Sequence, residues 1–264
     1  KKGDLHISYV NGGVRYQKWT MSGSVSAASL AGDYNGDGTD DLAVFNPADN
    51  KWYIQDVATT TPLVNGVSFG PAGAVPLTGD FNGDSNTDLA VFDAVSNIWH
   101  IQDANTATPL PNSPIQFNAA FPGAIPVVAD FNADQRDDLG LFIPSNGAWY
   151  AKDLITGVMH VNGTIWGDST MTPLPFDYNG DGVTDLGAYK ADSATWHILS
   201  GADLATALTG AGVVCGTKGA KPIPADYDGD GAVELAVYDS TRSMWIYRSL
   251  ASAGPAVARQ WGLP

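Results

Sequence analysis

The sequence predicts an all-β fold made of five four-stranded units stacked side by side, with a half-unit in front. Three observations carry that prediction. An acidic segment recurs at Asp33, Asp80, Asp130, Asp177 and Asp226, with separations of 47, 50, 47 and 49 residues. Nineteen residues after each of these aspartates comes a tryptophan: Trp52, Trp99, Trp149, Trp196 and Trp245. The composition is that of turns and strands, for 27 of the 28 acids are Asp and only Glu234 is Glu, beside 30 Gly and 16 Pro. Solvated helices use Glu freely, because Glu propagates a helix better than Asp does. Four short strands in a unit of about 48 residues mark a β-propeller blade, which cannot bury both faces alone and must stack on neighbours. A linear β-solenoid is the structural alternative, with much shorter repeats as its usual form.

Each element of the unit has its own signature. The stretch before the acidic segment, such as Ala74-Val75-Pro76-Leu77-Thr78-Gly79, reads as the first strand. After the acidic loop comes a compact apolar run, as in Leu42-Ala43-Val44-Phe45 or Leu235-Ala236-Val237-Tyr238. A turn rich in Asn, Asp, Ser and Pro leads into the tryptophan strand, whose period-2 alternation shows in Trp52-Tyr53-Ile54-Gln55. A looser loop reaches a fourth strand ending at Phe69-Gly70, Phe117, Trp166-Gly167, Cys215-Gly216 or Trp261-Gly262.

On this reading residues 1–22 form a half-blade, with Leu5 in the tryptophan slot, and the blades span approximately 23–70, 71–119, 120–168, 169–217 and 218–264 of one domain. The half-blade either caps an edge or marks the sequence as a piece of a longer chain, and the second reading is preferred.

The acidic loops follow the spacing Asp-x-Asn/Asp-x-Asp-x-x-x-Asp/Glu, which places side-chain oxygens at positions 1, 3, 5 and 9. The candidate ligands are Asp33, Asn35, Asp37 and Asp41; Asp80, Asn82, Asp84 and Asp88; Asp130, Asn132, Asp134 and Asp138; Asp177, Asn179, Asp181 and Asp185; and Asp226, Asp228, Asp230 and Glu234. Position 7 offers a backbone carbonyl, from Thr39, Asn86, Arg136, Val183 and Ala232. Hard oxygen donors at alternate positions, with glycine where the chain turns sharply, are how an EF-hand loop wraps Ca²⁺. Here no helix follows and the twelfth-position glutamate is missing, so the site is strand–loop–strand.

Charge agrees with a cation, because 16 of the 28 acids sit at these positions and would repel one another without one. About five Ca²⁺ ions, one per complete repeat, would offset two thirds of the −15 formal charge. Plain Asx/Gly turns are the alternative reading of any single loop. Mg²⁺ fits less well, since it demands tight octahedral geometry and keeps its waters. The third loop lacks glycine after position 5 and carries Arg136, so it is expected to bind most weakly.

The run Asp-Phe/Tyr-Asn-Gly-Asp-Gly with Asp-Leu-Ala-Val-Phe behind it resembles the FG-GAP/VCBS repeat, the unit of the integrin α-subunit propeller and of many secreted bacterial proteins. Phe69-Gly70-Pro71-Ala72-Gly73-Ala74-Val75-Pro76 matches, loosely ordered, the elements that give the repeat its name. The resemblance spans essentially the whole chain. It implies a β-propeller with Ca²⁺ in the loop between the first two strands of each blade. It also implies an extracellular or cell-surface protein that binds glycans or proteins, or an accessory module of an extracellular enzyme. The blade count, Leu5 and Cys215 depart from the pattern.

Other function classes find less support. A pI near 4.3 argues against nucleic acid, which needs a basic surface, and against anionic membrane surfaces. No apolar run reaches the roughly 18 residues of a membrane span. Lys1-Lys2-Gly3 leads straight into strand-like sequence, as in a mature or excised chain. The single cysteine excludes an internal disulfide, and Cys215, in an aromatic slot, is expected to be a small core residue.

No catalytic set emerges from the residues. Asp56, Asp103 and Asp153 share one register and read as strand-end or turn residues; Asp168 and Asp192 are scattered, and His6, His100 and His197 share a slot after the tryptophan position. The tryptophans are expected to pack between blades rather than to stack on sugars. Ligand contacts are expected in the loops around residues 58–61 and 104–108. The expected function is therefore a non-catalytic binding or adhesion module, with a polysaccharide lyase or hydrolase, or a structural subunit of a surface assembly, as rivals.

Overall fold

The computed structural model describes residues 28–117, 121–252 and 254–260. The half-blade expected at 1–22 and the strand end expected at Trp261 lie outside the described residues. Five antiparallel four-stranded sheets follow one another along the chain, each ordered as its strands occur in sequence. The first blade comprises β1 (Ala28–Gly32), β2 (Asp41–Asn46), β3 (Lys51–Gln55) and β4 (Pro62–Ser68). The second comprises β5 (Val75–Gly79), β6 (Asp88–Asp93), β7 (Ile98–Gln102) and β8 (Ile115–Gln116). The third comprises β9 (Ile125–Ala129), β10 (Asp138–Ile143), β11 (Ala148–Lys152) and β12 (Met159–Ile165). The fourth comprises β13 (Thr172–Pro173), β14 (Leu186–Lys190), β15 (Thr195–Leu199) and β16 (Val213–Val214). The fifth comprises β17 (Lys221–Pro222), β18 (Leu235–Asp239), β19 (Met244–Arg248) and β20 (Val257–Gln260). The fold is an all-β propeller, and the described residues contain no helix.

Alternation along the second strand explains the stacking. Ala43 and Phe45 of β2, with Trp52 and Ile54 of β3, face Leu89 and Val91 of the next blade's β6 in one buried cluster. Phe92 and Trp99 face Leu139 and Leu141 in the same way, and Tyr189 and Trp196 face Leu235 and Val237. Within each blade the tryptophan lies directly opposite an aromatic of the second strand, as Phe45↔Trp52 and Phe92↔Trp99. Those rings tilt against each other with centroids 5.1 and 5.2 Å apart, a favourable arrangement for aromatic quadrupoles. The core is thus a series of layers between blades, as the alternation predicts. Trp52, Trp99, Trp149 and Trp196 are fully buried; Trp245 of the fifth blade is only half-buried.

The fourth strand varies most. In β4 and β12 its pairing with the third strand shifts register twice. One extra residue is Gly66 or Gly163, each with φ positive (73° and 80°), a conformation that glycine adopts without a Cβ penalty. The other is Leu63 or His160. In β8 and β16 the ladder is only two residues long, and hydroxyls take over its work. The N–H of Ile101 donates to Ser113 Oγ at 2.8 Å, and that of Ile198 to Thr209 Oγ1 at 2.9 Å.

Candidate metal centres in the blade loops

Each acidic loop joins the first and second strands of its blade and is shaped by its own side chains. In the first loop Asp33 Oδ1 accepts the N–H groups of Gly36 (2.7 Å) and Asp37 (3.2 Å), and Oδ2 accepts that of Gly38 (2.7 Å). Asn35 Oδ1 accepts the Asp37 N–H and Asp37 Oδ1 accepts the Thr39 N–H, at 2.9 and 2.8 Å. The same set recurs around Asp80, Asn82 and Asp84, and around Asp177, Asn179 and Asp181. The fifth loop repeats its main contacts through Asp226, Asp228 and Asp230.

These bonds curl the chain so that side chains 1, 3 and 5 converge. In the fifth loop one carboxylate oxygen from each of Asp226, Asp228 and Asp230 lies within 4.8 Å of the others. In three other loops an asparagine at position 3 donates from Nδ2 to the position 5 carboxylate: Asn35 to Asp37, Asn82 to Asp84 and Asn179 to Asp181. Gly36 and Gly38 turn with φ of 76° and 83°; in the third loop Ala133 and Gln135 adopt the same conformation at 61° and 67°. The third loop therefore keeps the turn without its glycines, at the strain a side chain incurs there.

Position 9 sits at the foot of the loop, where the second strand begins. Asp41, Asp88, Asp138, Asp185 and Glu234 are each at most 1% exposed. One oxygen of each accepts the N–H of the position 2 aromatic, for example Phe81 to Asp88 Oδ2 at 3.1 Å and Tyr178 to Asp185 Oδ2 at 2.9 Å. The other oxygen accepts an N–H in Asp41 (from Val57) and Asp185 (from Gly201), whereas Asp138 Oδ1 and Glu234 Oε1 meet no donor. Burial, followed by the neighbouring acids, pushes these carboxyls up: Asp88 to about 8, Asp138 to about 7 and Asp185 to about 6. Asp41 and Glu234 shift in the same direction for the same reason. Buried acids with orphaned oxygens, beneath a fan of exposed carboxylates, are the donor set a hard cation needs. The fifth loop fits Ca²⁺ on all of these grounds, and the first, second and fourth fit it through their buried position 9 acid and the oxygen donors at positions 1, 3 and 5.

The third loop differs. Arg136 turns its guanidinium into the loop, where Nη2 lies 2.5 Å from Asp134 Oδ2 and 3.4 Å from Asp153 Oδ2. An internal cation thus sits among the acids, a stronger departure than the missing glycine suggests. No motif in the sequence marks His160, yet its ring nitrogen lies with carboxylate oxygens of Asp138 and Asp153, all within 4.8 Å of one another. The signal was present in the repeat: His160 stands thirty residues after the loop start, where the first two blades have Leu63 and Leu110.

The loops are also joined to one another. The N–H at position 8 of the second to fifth loops donates to the position 1 carbonyl of the preceding blade: Thr87 to Asp33 (2.6 Å), Asp137 to Asp80 (2.7 Å), Thr184 to Asp130 (3.1 Å) and Val233 to Asp177 (2.7 Å). Asp137 returns the contact, its Oδ2 accepting the Asp80 N–H at 2.8 Å, and burial raises its carboxyl to about 6. The five candidate centres therefore form one continuous acidic belt along the propeller.

Of the other acids singled out in the sequence, Asp56, Asp103, Asp153 and Asp168 serve turns. Asp56 accepts the Thr59 N–H, Asp103 those of Asn105 and Thr106, and Asp153 those of Ile155 and Thr156. Asp168 binds Thr170 and lies 3.4 Å from Lys190 Nζ. Cys215 is buried in the cluster between the fourth and fifth blades, with its Sγ 3.4 Å from the Leu235 carbonyl, and burial raises its thiol to about 11.

Fold and loops together define a β-propeller whose blades open on an oxygen-rich acidic loop. Residues 33–91 match the family described as FG-GAP-like repeat. Solved structures with a similar fold include an Agrocybe aegerita lectin that specifically recognises non-reducing terminal N-acetylglucosamine. It is 13% identical, with a TM-score of 0.53, over 89% of this chain and 80% of that one. The Vibrio cholerae biofilm matrix protein Bap1 is 18% identical, with a TM-score of 0.45, over 89% of this chain and 39% of its own. At these identities the likeness is one of fold. No curated protein matches the sequence.

Proposed function

We propose that the protein is a secreted or cell-surface calcium-binding propeller that acts as a non-catalytic binding or adhesion module for a glycan or protein ligand. The observation that carries the reading is the recurrence, in all five described blades, of a buried position 9 carboxylate at the foot of an acidic loop, with the acids at positions 1, 3 and 5 converging in the fifth. Ca²⁺ bound there would draw together positions 1, 3, 5 and 9 with the position 7 carbonyl, and so fasten the opening hairpin of each blade. Loops of this kind that bind at 10⁻⁴–10⁻³ M are filled only where calcium is millimolar, outside cells. A lectin shares the fold, which makes glycans the first ligands to test.

The metal is tested by calorimetric unfolding with excess Ca²⁺ and with EGTA. Filling one site at 100 times its dissociation constant stabilises the fold by about 2.7 kcal/mol, so the melting temperature should rise clearly with calcium. Identical melting curves would refute the calcium reading. The ligand is tested on a glycan array with and without calcium: retention without release of cleaved product supports a module, and turnover opposes it.

A further inference from the structure

We propose that the third blade carries a second kind of metal site, formed by His160, Asp138 and Asp153, which takes a borderline divalent ion such as Zn²⁺ in preference to Ca²⁺. One carboxylate oxygen from each aspartate and one ring nitrogen of His160 lie within 4.8 Å of one another. Both acids are almost wholly buried, at 1% and 2% exposed. Asp138 accepts the Phe131 N–H through Oδ2, while its Oδ1 has no hydrogen-bond partner. Asp153 Oδ1 is taken by two backbone N–H groups, but Oδ2 has only long contacts, 3.4 Å to Arg136 and 3.5 Å to Asn132. One buried carboxylate oxygen thus has no donor, and a second is held only by long contacts, beside an imidazole.

The histidine is placed there by the backbone. His160 is the extra residue between Val161, paired with Ala151, and Met159, paired with Lys152. A bulge of this kind bends its strand and re-aims a side chain, and bulges concentrate next to functional sites. Leu63 occupies the corresponding bulge of the first blade and packs against the apolar core. Here a half-buried imidazole stands in that slot, and His160 Nε2 lies 2.9 Å from Asn132 Nδ2. One nitrogen with two carboxylates is a zinc-like donor set, whereas Ca²⁺ takes six to eight oxygens.

Arg136 competes for the same acids. Its guanidinium is held more tightly by Asp134 than by Asp153, so an entering ion displaces only the longer contact. Asp138 belongs both to this trio and to position 9 of the acidic loop, so the two kinds of ion exclude each other in this blade. The proposal does not depend on calcium filling the other loops.

Isothermal titration of the full chain with Zn²⁺, in a constant excess of Ca²⁺, tests the assignment. One Zn²⁺ equivalent that millimolar Ca²⁺ does not displace is the expected result. His160→Leu, which restores the residue of the first blade, should weaken that binding by more than about tenfold. It should leave the calcium-dependent rise in melting temperature unchanged, which shows that the variant folds. Arg136→Gln should tighten Zn²⁺ binding. With Co²⁺ as a probe, the visible absorption of a bound ion should change on His160→Leu. The proposal is overturned if no Zn²⁺ binds in the presence of Ca²⁺, or if His160→Leu leaves the isotherm as it was. A loss of the calcium effect with Zn²⁺ binding intact would instead overturn only the calcium reading.

Discussion

The backbone N–H of Thr87 donates to the carbonyl of Asp33 at 2.6 Å, across the boundary between the first and second blades. Asp33 thereby has two roles: its carboxylate curls its own loop, and its carbonyl receives the next one. The fit around this bond is tight, since a Cβ placed on Gly32 would lie 2.5 Å from Thr87 Oγ1 and 2.7 Å from its Cγ2. Gly32→Ala should therefore destabilise the fold by about 1–3 kcal/mol, as overpacking does. Urea unfolding measures the loss, and the added substitution Thr87→Ala should recover part of it. Equal midpoints for wild type and Gly32→Ala would show that the blades can separate there without cost.

Asp37 and Asp84 each order the end of their loop, accepting the N–H of Thr39 and of Asn86, and both are exposed. Asp37→Ala or Asp84→Ala should lower the melting temperature measured in calcium. Excess Ca²⁺ should no longer restore it fully. A variant with an undiminished calcium response would remove that residue from the ligand set.

Trp99 is fully buried and tilts against Phe92 in the layer facing the third blade. Trp99→Ala should cost about 3–5 kcal/mol through lost contacts and a residual cavity. Trp245, half-buried in the fifth blade, should cost clearly less on the same substitution. Chemical denaturation of the two variants side by side checks the order, and similar losses would contradict it.

The buried position 9 acids give stability a direction with pH when calcium is removed. Asp88, Asp138 and Asp185 are raised by burial to about 8, 7 and 6. The folded state therefore favours their neutral forms more than the unfolded chain does. That contribution is complete below about pH 4 and is lost progressively as the pH rises toward 8. In EGTA the urea midpoint should fall between pH 5 and pH 8. Saturating calcium favours the ionised forms and should flatten or reverse the trend. A midpoint in EGTA that rises over this range would mean that these carboxyls ionise without penalty in the fold.

Much of this protein was legible as spacing along one strand of text. The interval of 47 to 50 residues, the acid-to-tryptophan distance of nineteen and the alternation in Leu42-Ala43-Val44-Phe45 determined the blades, their inter-blade core and the acidic loops. These are local features, set by the two-residue period of a strand and by turns that a few Asp, Asn and Gly residues shape for themselves. What only the tertiary structure decided lies where separate segments meet. The bond from Val233 to Asp177 joins residues 56 positions apart in the numbering, in different blades, and nothing in either loop announces it. The turn of His160 toward Asp138 depended on a register shift in β12, and that of Arg136 toward Asp153 on the meeting of the third loop with the end of β11. A bulge adds one residue to one strand and rotates every later side chain relative to its partner, so the meeting of those groups could not be counted from the sequence.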